Sequence, residues 1–155
     1  MNKISQLFST LFFIGHIKWA PGTIGSLASL IIIIFLHSLV SKIGFIILFI
    51  CIIVLSIIFV SLYSKAINKY DAREIVIDEF LGIYLIMIFS YNYSLFNELL
   101  KISLIFILFR IFDIAKPFPI NWIHNNIKNS YGVILDDIVA GIYTIITLTI
   151  INVFI

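Results

Sequence analysis

Charge is scarce in this chain: Asp, Glu, Lys and Arg make up 12% of its 155 residues, and the mean hydropathy is +1.18. A water-soluble domain of this size could not hide the apolar surface that a 62% hydrophobic composition brings. There is one cysteine, Cys51, inside an apolar run, which excludes a disulfide framework and leaves a small hydrophobe. The three prolines stand between the apolar runs and not within them, so none interrupts a helical span. No internal repeat, low-complexity tail or soluble domain is visible. A formal net charge of +2 gives no basis for a nucleic-acid partner, and none is expected. What remains is an all-α integral membrane bundle, one domain over residues 1–155, with about five apolar spans and interfacial amphipathic helices.

Taken in order, residues 2–15 space Ile4, Leu7, Phe8, Leu11 and Phe12 at i, i+3, i+4, i+7 and i+8, with Ser5, Gln6, Ser9 and Thr10 on the other face. That pattern predicts a helix lying in the membrane interface. The loop around Pro21, Gly22 and Gly25 ends it, and Thr23 or Ser26 is expected to cap the next helix. Spans are predicted over 27–40, 43–62, about 72–90, about 99–114 and 138–155. Asp71 and Glu74 have the spacing of a capping box for the third span, which would place Asp78 and Glu79 about two turns inside it. Residues 91–98 read as a polar loop. Pro117 and Pro119 end the fourth span, and Ile120, Ile123, Ile127 and Tyr131 line a second interfacial helix with Trp122 as boundary anchor. His16, His37 and His124 read as interfacial hydrogen-bonding side chains.

With five spans, eight basic residues (Lys3, Lys18, Lys65, Lys69, Arg73, Arg110, Lys116, Lys128) fall on one side and only Lys42 and Lys101 on the other. The positive-inside bias makes the first side cytoplasmic. Of the eight acidic residues, all but Glu98 fall on that same side. The basic bias says nothing about acids, so this second clustering is independent of the first and marks one chemically active face.

Carboxylates crowded at a membrane boundary resist ionisation unless a cation compensates them. Hard oxygen ligands suit Mg²⁺, and neighbouring Lys and Arg suit phosphate oxygens. Asp78, Glu79, Asp113 and Asp137 are therefore candidate metal ligands, with Glu74 a further one. Lys116 and Arg110 are candidates to stabilise phosphoryl charge, and Asp136 to orient a water, a lysine or an arginine. Lys18 and the segment of Gly22, Thr23, Gly25 and Ser26, opening a helix, are candidates to bind the anion together with Lys116. These parts describe metal-assisted chemistry on a lipid phosphate. Asp78 and Gly82 stand at i, i+4, as do Asp137 and Gly141, so a close helix contact at the two glycines would bring the carboxylates together.

Four blocks, APGTIGS (20–26), EIVIDEFLG (74–82), FRIFDIAKPFPI (109–120) and GVILDDIVAG (132–141), resemble in order the signature blocks of phosphatidylglycerophosphatase A. The resemblance implies a Mg²⁺-dependent enzyme of the bacterial inner membrane. Its substrate would be phosphatidylglycerophosphate in the cytoplasmic leaflet, cleaved to phosphatidylglycerol. The alternative is a small non-enzymatic cation carrier or scaffold. A carrier places its charges near the membrane midplane on broken spans, whereas these cluster toward one face. There is no His-centred phosphatase pattern and no Asp-x-Asp nucleophile motif.

Overall fold

The computed structural model describes residues 3–90 and 97–154. Seven α-helices are found among them: α1 (Lys3–Ser9), α2 (Pro21–Leu39), α3 (Lys42–Ile67), α4 (Ile77–Ser90), α5 (Glu98–Ala115), α6 (Ile120–Asn126) and α7 (Ser130–Phe154), with a single 3-10 turn at Ile14–His16. No strand occurs among the described residues. Most of the expected 91–98 loop lies outside them.

Among the described residues three helices, not five, are long and apolar enough to cross a bilayer: α2, α3 and α7. Their outer faces carry Ile31, Phe35, Ile50, Val54, Ile146 and Ile150, all exposed, as suits side chains whose solvent is lipid. The two other expected spans fail for different reasons. At 14 residues, α4 is only about 21 Å long, too short for the roughly 30 Å hydrocarbon layer. Its apolarity reports burial in protein, since Ile77 to Tyr84 are buried without a break. Helix α5 is long enough at 18 residues but carries Glu98, Lys101, Arg110 and Asp113.

The helix ends explain much of the layout. Pro21 occupies the first position of α2, so the expected glycine loop is itself helical, and neither Thr23 nor Ser26 caps it; the N-cap is Ala20, without a side-chain bond. Ser41 caps α3, its Oγ accepting from the Gly44 N–H. Asn97 caps α5 in the same way. That helix stops at Lys116, whose left-handed backbone and following proline prevent another turn. The second interfacial helix is shorter than expected, because α6 ends at Asn126 and α7 starts at Ser130. The capping box does not form: α4 begins at Ile77, while Glu74 accepts the Tyr63 hydroxyl at 3.1 Å and the Val76 N–H donates to the Ser9 carbonyl at 3.0 Å. Asp78 and Glu79 therefore lie in the first turn of α4. The N-terminal helix is half the expected length and buries its polar face, although Phe8 and Leu11 of the apolar stripe also meet the core. Ser5, Ser9 and Thr10 are buried while Ile4, Phe12 and Phe13 are exposed. In contact with lipid, it is the polar face that needs protein.

Helix α4 is the axis of the bundle and packs most extensively on α7. The closest approach is at two glycines. A Cβ on Gly141 would stand 2.9 Å from the Gly82 carbonyl oxygen, and one on Gly82 would stand 2.8 Å from the Asp137 carbonyl and 2.6 Å from the Phe109 ring. Buried hydroxyls on α2 and α7 return their hydrogens to the preceding turn, as Ser29 does to Gly25 and Thr144 to Ala140. Gly82→Ala is expected to force α4 and α7 apart, at a cost of roughly 1–3 kcal/mol. Thermal unfolding of the purified protein in detergent checks this; an unchanged midpoint with unchanged activity would show that the contact is not needed.

Candidate active site

The glycine contact sets the register of everything above it. One turn toward the helix starts, Asp78 and Glu79 of α4 meet Asp137 of α7, and one carboxylate oxygen from each lies within 4.8 Å of the others. All three residues are buried. Were all three ionised with no cation between them, each like-charged pair at about 4 Å and an effective dielectric near 20 would cost roughly 4 kcal/mol. Three such pairs rival the entire stability of a typical domain, about 5–15 kcal/mol. Glu79 Oε2 is buried without a hydrogen-bond partner. An all-oxygen, anionic and under-donated cluster fits a hard divalent cation.

Cations of the chain surround this trio. Arg110 pairs with Asp113 through Nη1 at 2.5 Å and approaches Ser26 Oγ at 3.4 Å. Lys116 Nζ donates to Asp136 Oδ2 at 2.6 Å and lies 3.9 Å from Asp113. Burial alone disfavours the Lys116 ammonium, but the Asp136 carboxylate, with Asp137 and Asp113 behind it, outweighs that and holds it above the ordinary lysine range. The lysine therefore stays charged. Lys116 reaches this position because the α5 terminus turns at its own backbone.

The start of α2 closes another side. A Cβ on Gly22 would stand 2.6 Å from Glu79 Oε1 and 3.3 Å from Arg110 Nη1, so only glycine lets this helix terminus reach the carboxylates. No side chain caps α2, and Pro21 at its first position has no N–H, so Gly22 supplies the first N–H that an anion could meet. Ser26 donates to the Gly22 carbonyl at 2.7 Å and is buried beneath it.

A cleft of about 140 Å³ opens onto these groups; Asp71, Arg73, Asp78, Glu79, Asp113, Lys116, His124, Asp136 and Asp137 are among its walls. Asp78, Glu79 and Asp137 are thus gathered into one cluster, with Asp113, Asp136, Lys116 and Arg110 around them and Gly22 and Ser26 at the α2 side. Four other candidates are not brought there. Glu74 faces Tyr63, Gly25 packs against Val76, Lys18 is exposed, and Thr23 is in the first turn of α2 but is not part of the cleft wall.

Two groups that the sequence did not assign to the site stand in the cleft wall. His124, expected to be an interfacial side chain, has Nδ1 at 3.1 Å from Asp136 Oδ2 and Nε2 at 3.9 Å from Asp71 Oδ2. Asp71, expected to be a cap, is a wall of the cleft. The available signal was the spacing of His124 four residues beyond Ile120 on a short helix, with Ile120 and Ile123 buried; its acidic partners lie on other elements.

The family model described as Phosphatidylglycerophosphatase A matches residues 7–152. A Haemophilus influenzae protein named Phosphatidylglycerophosphatase A is 34% identical, covering 94% of this chain and 86% of its own length. An Escherichia coli protein of the same name is 33% identical, over 92% of this chain and 80% of its own. A Bacteroides thetaiotaomicron protein, provisionally named a phosphatidylinositol-3-phosphatase, is 31% identical, over 93% and 91%. No solved structure matches the chain.

Proposed function

Because the chain belongs to the phosphatidylglycerophosphatase A family, we propose that it hydrolyses the terminal phosphomonoester of phosphatidylglycerophosphate to give phosphatidylglycerol. The reaction is Mg²⁺-dependent and takes place at the cytoplasmic face of a bacterial inner membrane. The observation that carries this reading is the convergence of Asp78, Glu79 and Asp137 beneath Lys116 and Arg110. Asp78, Glu79 and Asp137 are the residues that would hold the ion, and Asp113 holds Arg110 beside them. When bound, a divalent ion there would supply Lewis-acid charge to the phosphoryl group.

The rest of the work falls to the chain. Arg110 and Lys116 bind phosphate oxygens and stabilise the charge that develops on them. The N–H groups opening α2 add a neutral anion cradle at Gly22. Asp136 fixes the Lys116 ammonium and is placed to orient the attacking water and accept its proton. The exposed isoleucines of α2, α3 and α7 leave the acyl chains in lipid, so only the headgroup needs to enter. Orientation rests on the basic residues. Arg73, Lys116 and Arg110 stand at the site end, while Lys101 shares the far-end cavity with His37 and Glu98.

A cation carrier fits less well, since Asp78 and Glu79 sit in the first turn of an unbroken helix. The Bacteroides relative raises a second lipid substrate. The test is phosphate release by the purified protein from phosphatidylglycerophosphate and from phosphatidylinositol 3-phosphate, each with Mg²⁺ and with excess EDTA. Release from the first lipid is expected to be much faster, and EDTA is expected to abolish it. Full turnover after thorough chelation would remove the metal, and preference for the inositol lipid would reassign the substrate.

A further inference from the structure

The reaction just proposed needs a proton that none of the groups assigned so far supplies. The leaving group is the alkoxide of a glycerol, a strong base, and expelling it unprotonated is slow. Among the ionisable side chains lining the cleft, the carboxylates supply lone pairs to cations. Arg73 does not give up its proton at any working pH. Lys116 is tied to Asp136 at 2.6 Å with Asp113 behind it. The remaining one is His124, and imidazole is the side chain suited to giving and regaining a proton near neutrality.

Its two nitrogens are differently engaged. Nδ1 lies 3.1 Å from Asp136 Oδ2 and 3.4 Å from Lys116 Nζ. A lysine ammonium only donates and an ionised carboxylate only accepts, so Nδ1–H donates to Asp136, and the approach to Lys116 follows from both donating to one oxygen. Nε2 faces Asp71 Oδ2 at 3.9 Å, close enough for charge attraction and too long for a hydrogen bond. A proton on Nε2 is therefore electrostatically supported by Asp71 and committed to no acceptor. The ring is about one-third exposed (35% for its side chain), at the rim where a departing alcohol would pass.

Resting on the phosphatase reading, we infer that His124 is the general acid of the reaction, held by Asp136 at Nδ1 and electrostatically supported by Asp71 at Nε2. The phosphorus–oxygen bond to glycerol breaks with its electron pair remaining on the glycerol oxygen. That oxygen takes the proton from Nε2 and leaves as the alcohol. Water supplies the new oxygen on phosphorus and gives its proton to Asp136, which returns it to solvent. His124 regains its proton from solvent through its exposed edge. One water is consumed, and one alcohol and one phosphate are formed.

Two substitutions and a substrate series test this. His124→Asn keeps an amide donor near the Nδ1 position for Asp136 but has nothing at Nε2; His124→Gln reaches toward Nε2 but carries no transferable proton. The substrates are phosphatidylglycerophosphate and analogues with fluorine on the leaving glycerol, which makes the alcohol more acidic with little change in shape. Both variants are expected to lose about 10²–10⁴-fold in turnover on the parent lipid. They should recover steeply along the fluorinated series, while the unsubstituted protein stays nearly flat. Near-normal turnover by His124→Asn would reduce the ring to a prop for Asp136 and overturn the inference. An equal loss on every substrate would do the same. An unsubstituted protein inactive on the parent lipid would instead reject the phosphatase reading itself.

Discussion

Asp137→Asn is expected to abolish phosphate release, and raising Mg²⁺ to high concentration is not expected to restore it. The residue is buried and contributes an oxygen to the cluster with Asp78 and Glu79. Its helix is pinned one turn away, where Gly141 meets the Gly82 carbonyl, so the side chain cannot be replaced from a neighbouring position. Asparagine keeps the shape and one oxygen but removes the anionic charge, which is what a hard cation selects. Charge stabilisation by a bound ion is worth several kcal/mol, and about 4 kcal/mol corresponds to roughly 10³ in rate. Asp78→Asn is expected to behave alike. Because asparagine relieves like-charge repulsion, either variant should be at least as stable as the parent in the absence of divalent ions. Loss of activity with retained thermal stability is the signature; a variant that recovers fully in excess Mg²⁺ would reduce the residue to a modest aid to affinity.

Lys116→Met is expected to lower turnover by about 10²–10³, the effect of deleting one preorganised donor to a developing oxyanion. Methionine preserves the apolar stem, which matters because the side chain is three-quarters buried (25% exposed). The ammonium is the best-placed cation of the cleft, bridging Asp136 of α7 and Asp113 of α5. Its loss should fall on kcat more than on KM, since it acts most strongly as charge builds on the phosphoryl group. Ordinary kinetics in Lys116→Met would rule it out as a catalytic group and leave Arg110 as the phosphate-stabilising cation.

The acidic cluster was legible in the sequence because its logic is local. Asp78 with Gly82 and Asp137 with Gly141 each repeat one helical turn, and two small residues allow the close contact that aligns the acids. The number of spans was not legible, because hydropathy does not say which solvent an apolar side chain meets. Helix α4 is apolar all round since it is enclosed by other helices, and α5 keeps its charges for the site and for the Lys101–Glu98 pair. The burial of the polar face of the N-terminal helix was missed for the same reason. Asp71 and Glu74 matched a capping pattern, but Tyr63 binds Glu74 and the Ser9 carbonyl takes the Val76 N–H. With those tertiary bonds in place, α4 starts at Ile77 and not near Ala72, about a turn and a half later. His124 was not legible as a cleft residue: its spacing from Ile120 and Ile123 marks only a buried helix face, while its neighbours come from the end of α5, the segment before α4 and α7.

Whether Asp78, Glu79 and Asp137 together hold a divalent cation is decided by binding of Mn²⁺ as a spectroscopic stand-in for Mg²⁺. Purified protein in detergent is titrated with Mn²⁺, and the free ion is followed by its paramagnetic resonance. The unsubstituted protein is predicted to hold an ion that excess Mg²⁺ displaces, and the Asp78→Asn, Glu79→Gln, Asp137→Asn triple variant is predicted to lose it while remaining folded. Equal Mn²⁺ binding by the folded triple variant and the unsubstituted protein would contradict the claim.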